Sequence, residues 1–208
     1  MLTVITPAAS TALTTLGRAR AILGFANTDD AAATVLIGQA SRAIAEHCRR
    51  VFALESVRET FTDEDLCGGG PILARSPVVE ITSVRSGADL PAPADYRLDA
   101  TTGRLWRLDA SGHVLPWWSG TLVVEYRAGF TLPTDASGAP APTLPDTVER
   151  AAIVLLSTYL SLRKRDPTVK TDTVEGIGST SWWVPGASDR LASPEAEQLL
   201  IPFIRYFP

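Results

Sequence analysis

The side chains that chemistry could recruit in this 208-residue sequence are few, and they are scattered. His47 lies in a helical stretch beside Glu46 and Arg50, and His113 lies in a Ser-Gly-His turn. A general base needs a positioned partner and a cleft; neither histidine has both, so each reads as a packing or surface residue. Cys48 and Cys67 fall in different element types, with no second cysteine close to either one. With two histidines in the whole chain, no zinc set assembles. Both cysteines read as reduced thiols, Cys48 packing as a small hydrophobe. The carboxylates of Asp63, Glu64 and Asp65 could hold a hard cation, but they lack the ordered alternation and distal Glu of a calcium loop and read as a solvated loop tip. Gly68-Gly69-Gly70 is not followed by a lysine and a helix start, so it is a turn and not a phosphate cradle. There is no Gly-x-Ser-x-Gly elbow and no visible nucleophile–base pair. The expectation is a protein without catalytic residues, cofactor or metal, and not an enzyme.

The remaining candidates bind and do not react. Arg163-Lys164-Arg165 is a compact basic cluster at the end of a helix. Cations in a last turn compensate the helix dipole; the same three side chains could also contact phosphates. Trp117-Trp118 and Trp182-Trp183 are aromatic pairs in loop-like sequence. Such pairs stack on sugars, dock proteins or fill a local core beneath a loop, and tryptophan is enriched at interface hot spots. The 182–183 pair reads as an interface, because its surroundings have little capacity to form a core. Leu199, Leu200, Phe203, Ile204, Tyr206 and Phe207 make the C-terminus too apolar for a free tail, so it packs on its own subunit or binds another chain.

The elements that position these residues follow from periodicity and punctuation. Residues 1–14 look extended or loose. Thr15 is placed to cap a short helix, Leu16–Leu23, closed by Gly24. Thr28-Asp29-Asp30 puts acidic charge at the start of a longer helix, expected from about residue 30 to about residue 50. Leu36, Ile37, Ala40, Ile44 and Cys48 share one face of it, and Arg42, Glu46 and Arg49 lie off that face. From Glu55 the period becomes two. Strands are expected at 55–62, 78–84, 96–98, 104–108 and 122–127, with an acidic glycine-rich loop at 63–70 and a hairpin turning at Gly103. Residues 131–145 read as a linker-like loop. Val148, Ala151, Ala152, Leu155, Tyr159 and Leu162 form the buried stripe of a second long helix ended by Pro167. Residues 168–192 show no helix period, and Ser193-Pro194-Glu195 starts a last short helix, 194–200.

The composition is ordinary for a globular protein, with 45% hydrophobic and 20% charged residues. One α+β domain spanning 1–208 is expected, without a second independent core. It is a helical layer of two long helices plus short terminal ones, with a β-rich insertion at about 55–130 between the long helices and a C-terminal docking segment at about 168–208. A net charge of −4 argues against a surface dedicated to coating nucleic acid, though not against transient DNA passing a locally basic rim. The longest apolar run, 151–156, is far short of the ~20 residues a membrane span needs. The start, Met-Leu-Thr-Val-Ile-Thr-Pro, has no positive charge ahead of an apolar stretch, so synthesis in the cytoplasm without a signal peptide is expected.

Taken in order, several segments resemble the head–tail connector (adaptor) proteins of long-tailed double-stranded-DNA bacteriophages and their gene-transfer-agent relatives. The segments are Leu13-Thr-Thr-Leu16, residues 36–52 with Cys-Arg-Arg-Val-Phe, Pro77-Val-Val-Glu-Ile-Thr-Ser-Val84, Tyr96-Arg-Leu-Asp99 with Gly103-Arg-Leu-Trp106, Val123-Val-Glu-Tyr-Arg-Ala-Gly-Phe130, residues 151–159 and Arg165-Asp-Pro167. The departures are the Ala/Pro loop at 131–145 and the Trp-rich 176–186. The resemblance implies a structural subunit, expected as a ring of twelve on the portal protein at the capsid vertex. It would extend the DNA channel and offer a docking face to a neck, stopper or tail-terminator protein, in a particle assembled in the host cytoplasm. On that reading Trp182, Trp183, Leu199, Leu200, Phe203, Ile204, Tyr206 and Phe207 dock on the portal, and Arg163, Lys164 and Arg165 approach DNA in the channel. The tryptophan pairs leave a second reading, a carbohydrate-binding or tail-associated β module.

Overall fold

In chain order the elements are β1 (Leu2–Thr6), α1 (Leu16–Leu23), α2 (Asp30–Cys48), β2 (Glu55–Phe61), α3 (Asp63–Leu66), β3 (Val78–Ser86), β4 (Tyr96–Asp99), β5 (Arg104–Leu108), β6 (Val114–Leu115), β7 (Leu122–Ala128), α4 (Asp146–Leu162), β8 (Thr171–Val174), β9 (Gly178–Ser181) and α5 (Pro194–Leu200). The computed structural model describes residues 1–66, 70–100, 102–117, 120–163, 171–174, 178–181 and 191–206. The class is α+β, as the sequence indicates. The chain divides into two compact units, Met1–Ser10 with Val51–Thr131 and Thr11–Arg50 with the described residues from Leu132 onward. Each unit has its own buried cluster, where the sequence reading expected one core. The interleaving in sequence concealed this, because both units are built from two separate stretches of chain.

The first unit holds an antiparallel sheet in the order β1-β2-β7-β3. The alternation along β7 places Leu122, Val124 and Tyr126 on the buried face. The register from Glu55↔Ala128 to Phe61↔Leu122 sets Val57 and Phe61 of β2 beside them. A carboxylate is buried in this sheet: Glu59 accepts from the Tyr126 hydroxyl at 2.8 Å and from the Ala74 amide at 3.0 Å. Burial, and then the Glu59 charge, push the Tyr126 phenol far above its ordinary range, so it stays a donor. The Arg75 amide donates to the same hydroxyl at 3.1 Å, tying the irregular chain before β3 to the sheet. A second sheet, β4-β5-β6, carries the expected hairpin, with Gly103 at φ 75°.

Three sequence expectations are sharpened or changed in this unit. Of the two readings of the N-terminal stretch the extended one holds at its start, since β1 pairs with β2 and the Met1 amine donates to the Thr60 carbonyl at 2.7 Å. The acidic loop opens with a single helical turn, α3. Asp65 caps it, accepting from the Thr62 amide and hydroxyl at 2.8 and 2.9 Å. These bonds, led by the Thr62 amide, lower its carboxyl below the ordinary range. Trp117 is not an exposed loop aromatic. It is 7% accessible, belongs to the core cluster, and donates Nε1–H to the Leu105 carbonyl at 3.0 Å. Trp118, Cys67, Gly68 and Gly69 lie outside the described residues.

In the second unit the capping signals act as read. The Thr15 hydroxyl accepts from the Arg18 amide and Gly24 closes α1 at φ 65°. The long loop at 131–145 adds a second cap, because Asp135 accepts from the Thr15 hydroxyl at 2.7 Å and the Gly17 amide at 3.3 Å. Helix α2 buries Ala33, Ile37, Ala40, Ser41, Ile44 and Cys48, while Leu36 is half-buried. It ends two residues earlier than expected, where Arg49 turns left-handed at φ 51°. Helix α4 buries Val148, Ala151, Ala152 and Leu155, with Tyr159 and Leu162 only half-buried. It packs on α2 and α5. Pro167, the expected stop, lies outside the described residues. The Ser193 hydroxyl caps α5 through the Ala196 amide. The hairpin β8–β9 was not expected, because Thr-Asp-Thr-Val and Gly-Ser-Thr-Ser have no apolar alternation to reveal it.

Candidate functional site

The titratable residues that chemistry might use are placed for structure. His113 sits 3.2 Å from Asp109 at an exposed turn, with its side chain 79% accessible. The Asp109 carboxyl lies below the ordinary range, held there chiefly by the His113 amide. His47 is half-buried, and neither ring nitrogen has a hydrogen-bond partner. Cys48 is fully buried, and burial pushes its thiol up to about 11. Asp63 accepts from the Gly120 amide and Asp65 is committed to Thr62, so two carboxylates of the acidic run are engaged in structural bonds. Among the described residues no group of three or more His, Cys, Asp or Glu could hold a metal.

A concavity lies in the helical unit. It is a groove of about 700 Å³ between α1, α4 and the start of α5. Ile22, Leu23, Ile153 and Val154 supply its apolar lining, and two ion pairs frame it. Arg18 grips Glu149 with Nε at 2.6 Å and Nη2 at 2.7 Å, while the Thr14 hydroxyl donates to the same carboxylate at 2.9 Å. Arg150 pairs with Glu195 at 2.8 Å. The sequence reading missed this frame. Its signal was Glu149, an acid inside the buried stripe of α4, which demands a cation or several donors. Replacing Arg18 by Ala should cost about 2 kcal/mol of stability in urea titration, below the 3–5 of a fully buried pair because the Arg18 side chain is 48% exposed. Glu149→Gln keeps the Thr14 bond and should cost less. A loss under about 0.5 kcal/mol for Arg18→Ala would reduce the pair to an ordinary surface one.

The C-terminal candidates separate by burial. Leu200 is 0% accessible, as buried as Ala196 on the same helix, and Leu191 just before α5 is buried too. It therefore leaves the set that the resemblance assigned to portal docking, because the chain buries it without a partner. Leu199, Phe203 and Ile204 are half-buried. Tyr206 is 72% exposed, and Ile201, which the sequence reading passed over, is 50% exposed. The Arg205 amide donates to the Cys48 carbonyl at 3.0 Å and so fastens this segment to the end of α2. Trp182, Trp183 and Phe207 lie outside the described residues. Arg163 follows α4 and pairs with Asp29 at 3.6 Å while its side chain stays 48% exposed. Lys164 and Arg165, the rest of the basic cluster, lie outside the described residues.

No protein-family model and no curated protein matches the chain. Its fold matches chains in solved gene transfer agent particles. One, in the neck of an empty particle computed with C6 symmetry, is 22% identical with a TM-score of 0.54, covering 96% of this chain and 94% of that one; at this identity the likeness concerns fold alone. A chain in the virion of a native gene transfer agent particle is 27% identical, with a TM-score of 0.53 and coverage of 80% and 86%. A third, in the neck of a native particle computed with C12 symmetry, is 25% identical, with a TM-score of 0.53 and coverage of 86% and 90%. Among the described residues, no helix is long and apolar enough to cross a membrane.

Proposed function

We propose that this chain is a structural subunit of the head–tail neck of a DNA-carrying particle, an adaptor repeated as a ring between the portal and the next neck or tail protein. The observation that carries the reading is the likeness to a chain of the C12 neck, which spans 86% of this chain and 90% of that one at 25% identity. The placement of Cys48, buried, and of Asp63, Asp65 and Asp109, each accepting backbone hydrogen bonds, agrees with an assembly role. The loss of Trp117 to the core removes one face of the sugar-stacking alternative.

The docking surface of this reading is the accessible remainder of the described C-terminal candidates, Leu199, Phe203, Ile204 and Tyr206, together with Phe207, Trp182 and Trp183 from the sequence. Arg163, Lys164 and Arg165 are the channel-facing residues. The subunit's mild acidity lets DNA slide past, and a short basic rim gives a weak, salt-sensitive hold.

Co-expression with the portal and the proteins encoded beside it tests the reading. Native mass spectrometry should find a monomer or weak associate alone, and a multi-copy ring when the portal is present. Closing a ring costs each copy translational and rotational freedom, which a template offsets. A tight dimer indifferent to portal would sink the proposal. Replacing Arg163, Lys164 and Arg165 together by Ala should leave the ring intact and alter DNA retention in filled heads. A triple variant that instead unfolds would assign the cluster to subunit stability.

A further inference from the structure

The four-stranded sheet β1-β2-β7-β3 is open, and its two edges are the strands β1 and β3. Their outward backbone groups can be identified from the ladder. Met1 and Thr60 exchange both hydrogen bonds, which makes them a bonded pair. The register then continues Leu2↔Glu59, Thr3↔Arg58, Val4↔Val57. Bonded and non-bonded pairs alternate in an antiparallel ladder, so Leu2 and Val4 direct their N–H and C=O groups away from β2. On the other edge, the Gly87 amide donates to Thr121 across the ladder, and the register from Ser83↔Glu125 to Ser86↔Leu122 makes Val84 and Ser86 outward. Ser86 exchanges its outward bonds with Asp89. Among the described residues, nothing pairs with the outward groups of Leu2, Val4 or Val84.

Sheet edges are ordinarily guarded by charge, proline or a covering element. β1 has none of the first two: its sequence is Leu-Thr-Val-Ile-Thr, with Val4 39% and Ile5 47% exposed. The strand directions identify what fits it. β1 runs antiparallel to β2, β2 to β7, and β7 to β3, so the two edge strands point in opposite directions. A head-to-tail ring relates neighbours by rotation alone, which preserves each strand's sense along the axis. The β3 edge of one copy therefore meets the β1 edge of the next antiparallel, the better-bonded arrangement, with no rearrangement of either strand.

We propose that β1 of each copy adds to the β3 edge of its neighbour, making a backbone-bonded seam between subunits of the ring. This deepens the ring reading above and rests on it. Both edges are interrupted, β1 by a bulge between Val4 and Thr6 and β3 by bulges between Val78 and Glu80 and between Ile81 and Ser83. Only short regular stretches remain, so the seam is too brief to hold two free copies together and forms where a template collects them.

Val4→Pro removes one outward donor and leaves the bonds to β2 intact, whereas Thr3→Pro strikes the inner ladder and is the destabilising control. In the complex co-purified with portal, the amides of Leu2, Val4 and Val84 should exchange at least tenfold more slowly than in the free chain. Val4→Pro should keep its thermal midpoint and lose the multi-copy form at least tenfold. A full ring that tolerates Val4→Pro, or one in which those amides stay unprotected, overturns the seam and leaves the neck reading standing. Protection of Leu2 and Val4 without Val84 would assign the β1 edge to a strand of another neck protein and also overturns it. Should Val4→Pro fail to fold, the exchange measurement on the unsubstituted chain decides alone. Absence of any multi-copy complex overturns the ring reading, and the seam with it.

Discussion

A chain ending at Ala192 should lose several kcal/mol of stability and melt at a clearly lower temperature than the full chain. The cut removes α5, whose Ala196 and Leu200 are fully buried. Loss of one buried leucine by itself costs about 2–5 kcal/mol. The cut also deletes the acceptor for the Leu191 amide, Glu197 at 2.7 Å, and the partner of Arg150, Glu195 at 2.8 Å. At the end of α2 it leaves the Cys48 carbonyl without the Arg205 amide. Point variants divide the two roles of the segment. Leu200→Ala should lower the midpoint in thermal denaturation and act on portal binding only through folding. Tyr206→Ala, at a side chain 72% exposed, should leave the midpoint in place and weaken portal capture. An unchanged midpoint for the truncated chain would mean that α5 contributes nothing to the core and that the whole segment is free for docking.

Local punctuation was legible in the sequence because its physics is local. Thr15, Gly24 and Ser193 each act on backbone within a few residues, and each sits where its type and spacing placed it. The stripes of α2 and α4 and the alternation of β7 were legible for the same reason. Interactions that close over long sequence separations were not. Asp135 caps a helix 118 residues before it, and Arg18 neutralises a carboxylate 131 residues away. The strand β1 needs β2 to exist at all, since five uncharged residues with one partly buried side chain show no alternation. The sequence left Trp117 open between stacking, docking and a local core, because a loop residue's burial depends on the fold beneath it, here the Leu105 carbonyl that accepts its indole N–H. The docking candidates were legible only as excess apolar area, and sequence alone could not divide that area between Leu200, used by the core, and Tyr206, left outside.

Gly129→Ala should be the most damaging single substitution in the β unit, costing more than about 4 kcal/mol or abolishing the folded unit altogether. Gly129 has φ 113°, a conformation L side chains rarely adopt, and an added Cβ would lie 2.2 Å from the Ala53 carbonyl oxygen and 2.6 Å from its carbon. The obstacle is backbone on both sides, so no rotamer relieves it. The position cannot drift, because three backbone bonds fix the crossing. Gly129 donates to Pro77 at 2.9 Å, Phe130 donates to Phe52 at 2.7 Å, and Leu54 donates to Phe130 at 3.0 Å. The first ties the end of β7 to the chain entering β3 and the other two tie it to the chain entering β2, with the Phe52 and Phe130 rings stacked at 6.4 Å. The Ala-Gly-Phe ending of this strand therefore has a physical reason: only glycine lets the two crossing backbones approach. Gly24→Ala is the control. It too has a positive φ, 65°, but an added Cβ there meets nothing within 4 Å. It should cost about 1 kcal/mol, the ordinary penalty for a left-handed alanine. Equal losses for the two variants, measured by urea unfolding, would show that φ alone sets the cost and that the close approach at Ala53 relaxes.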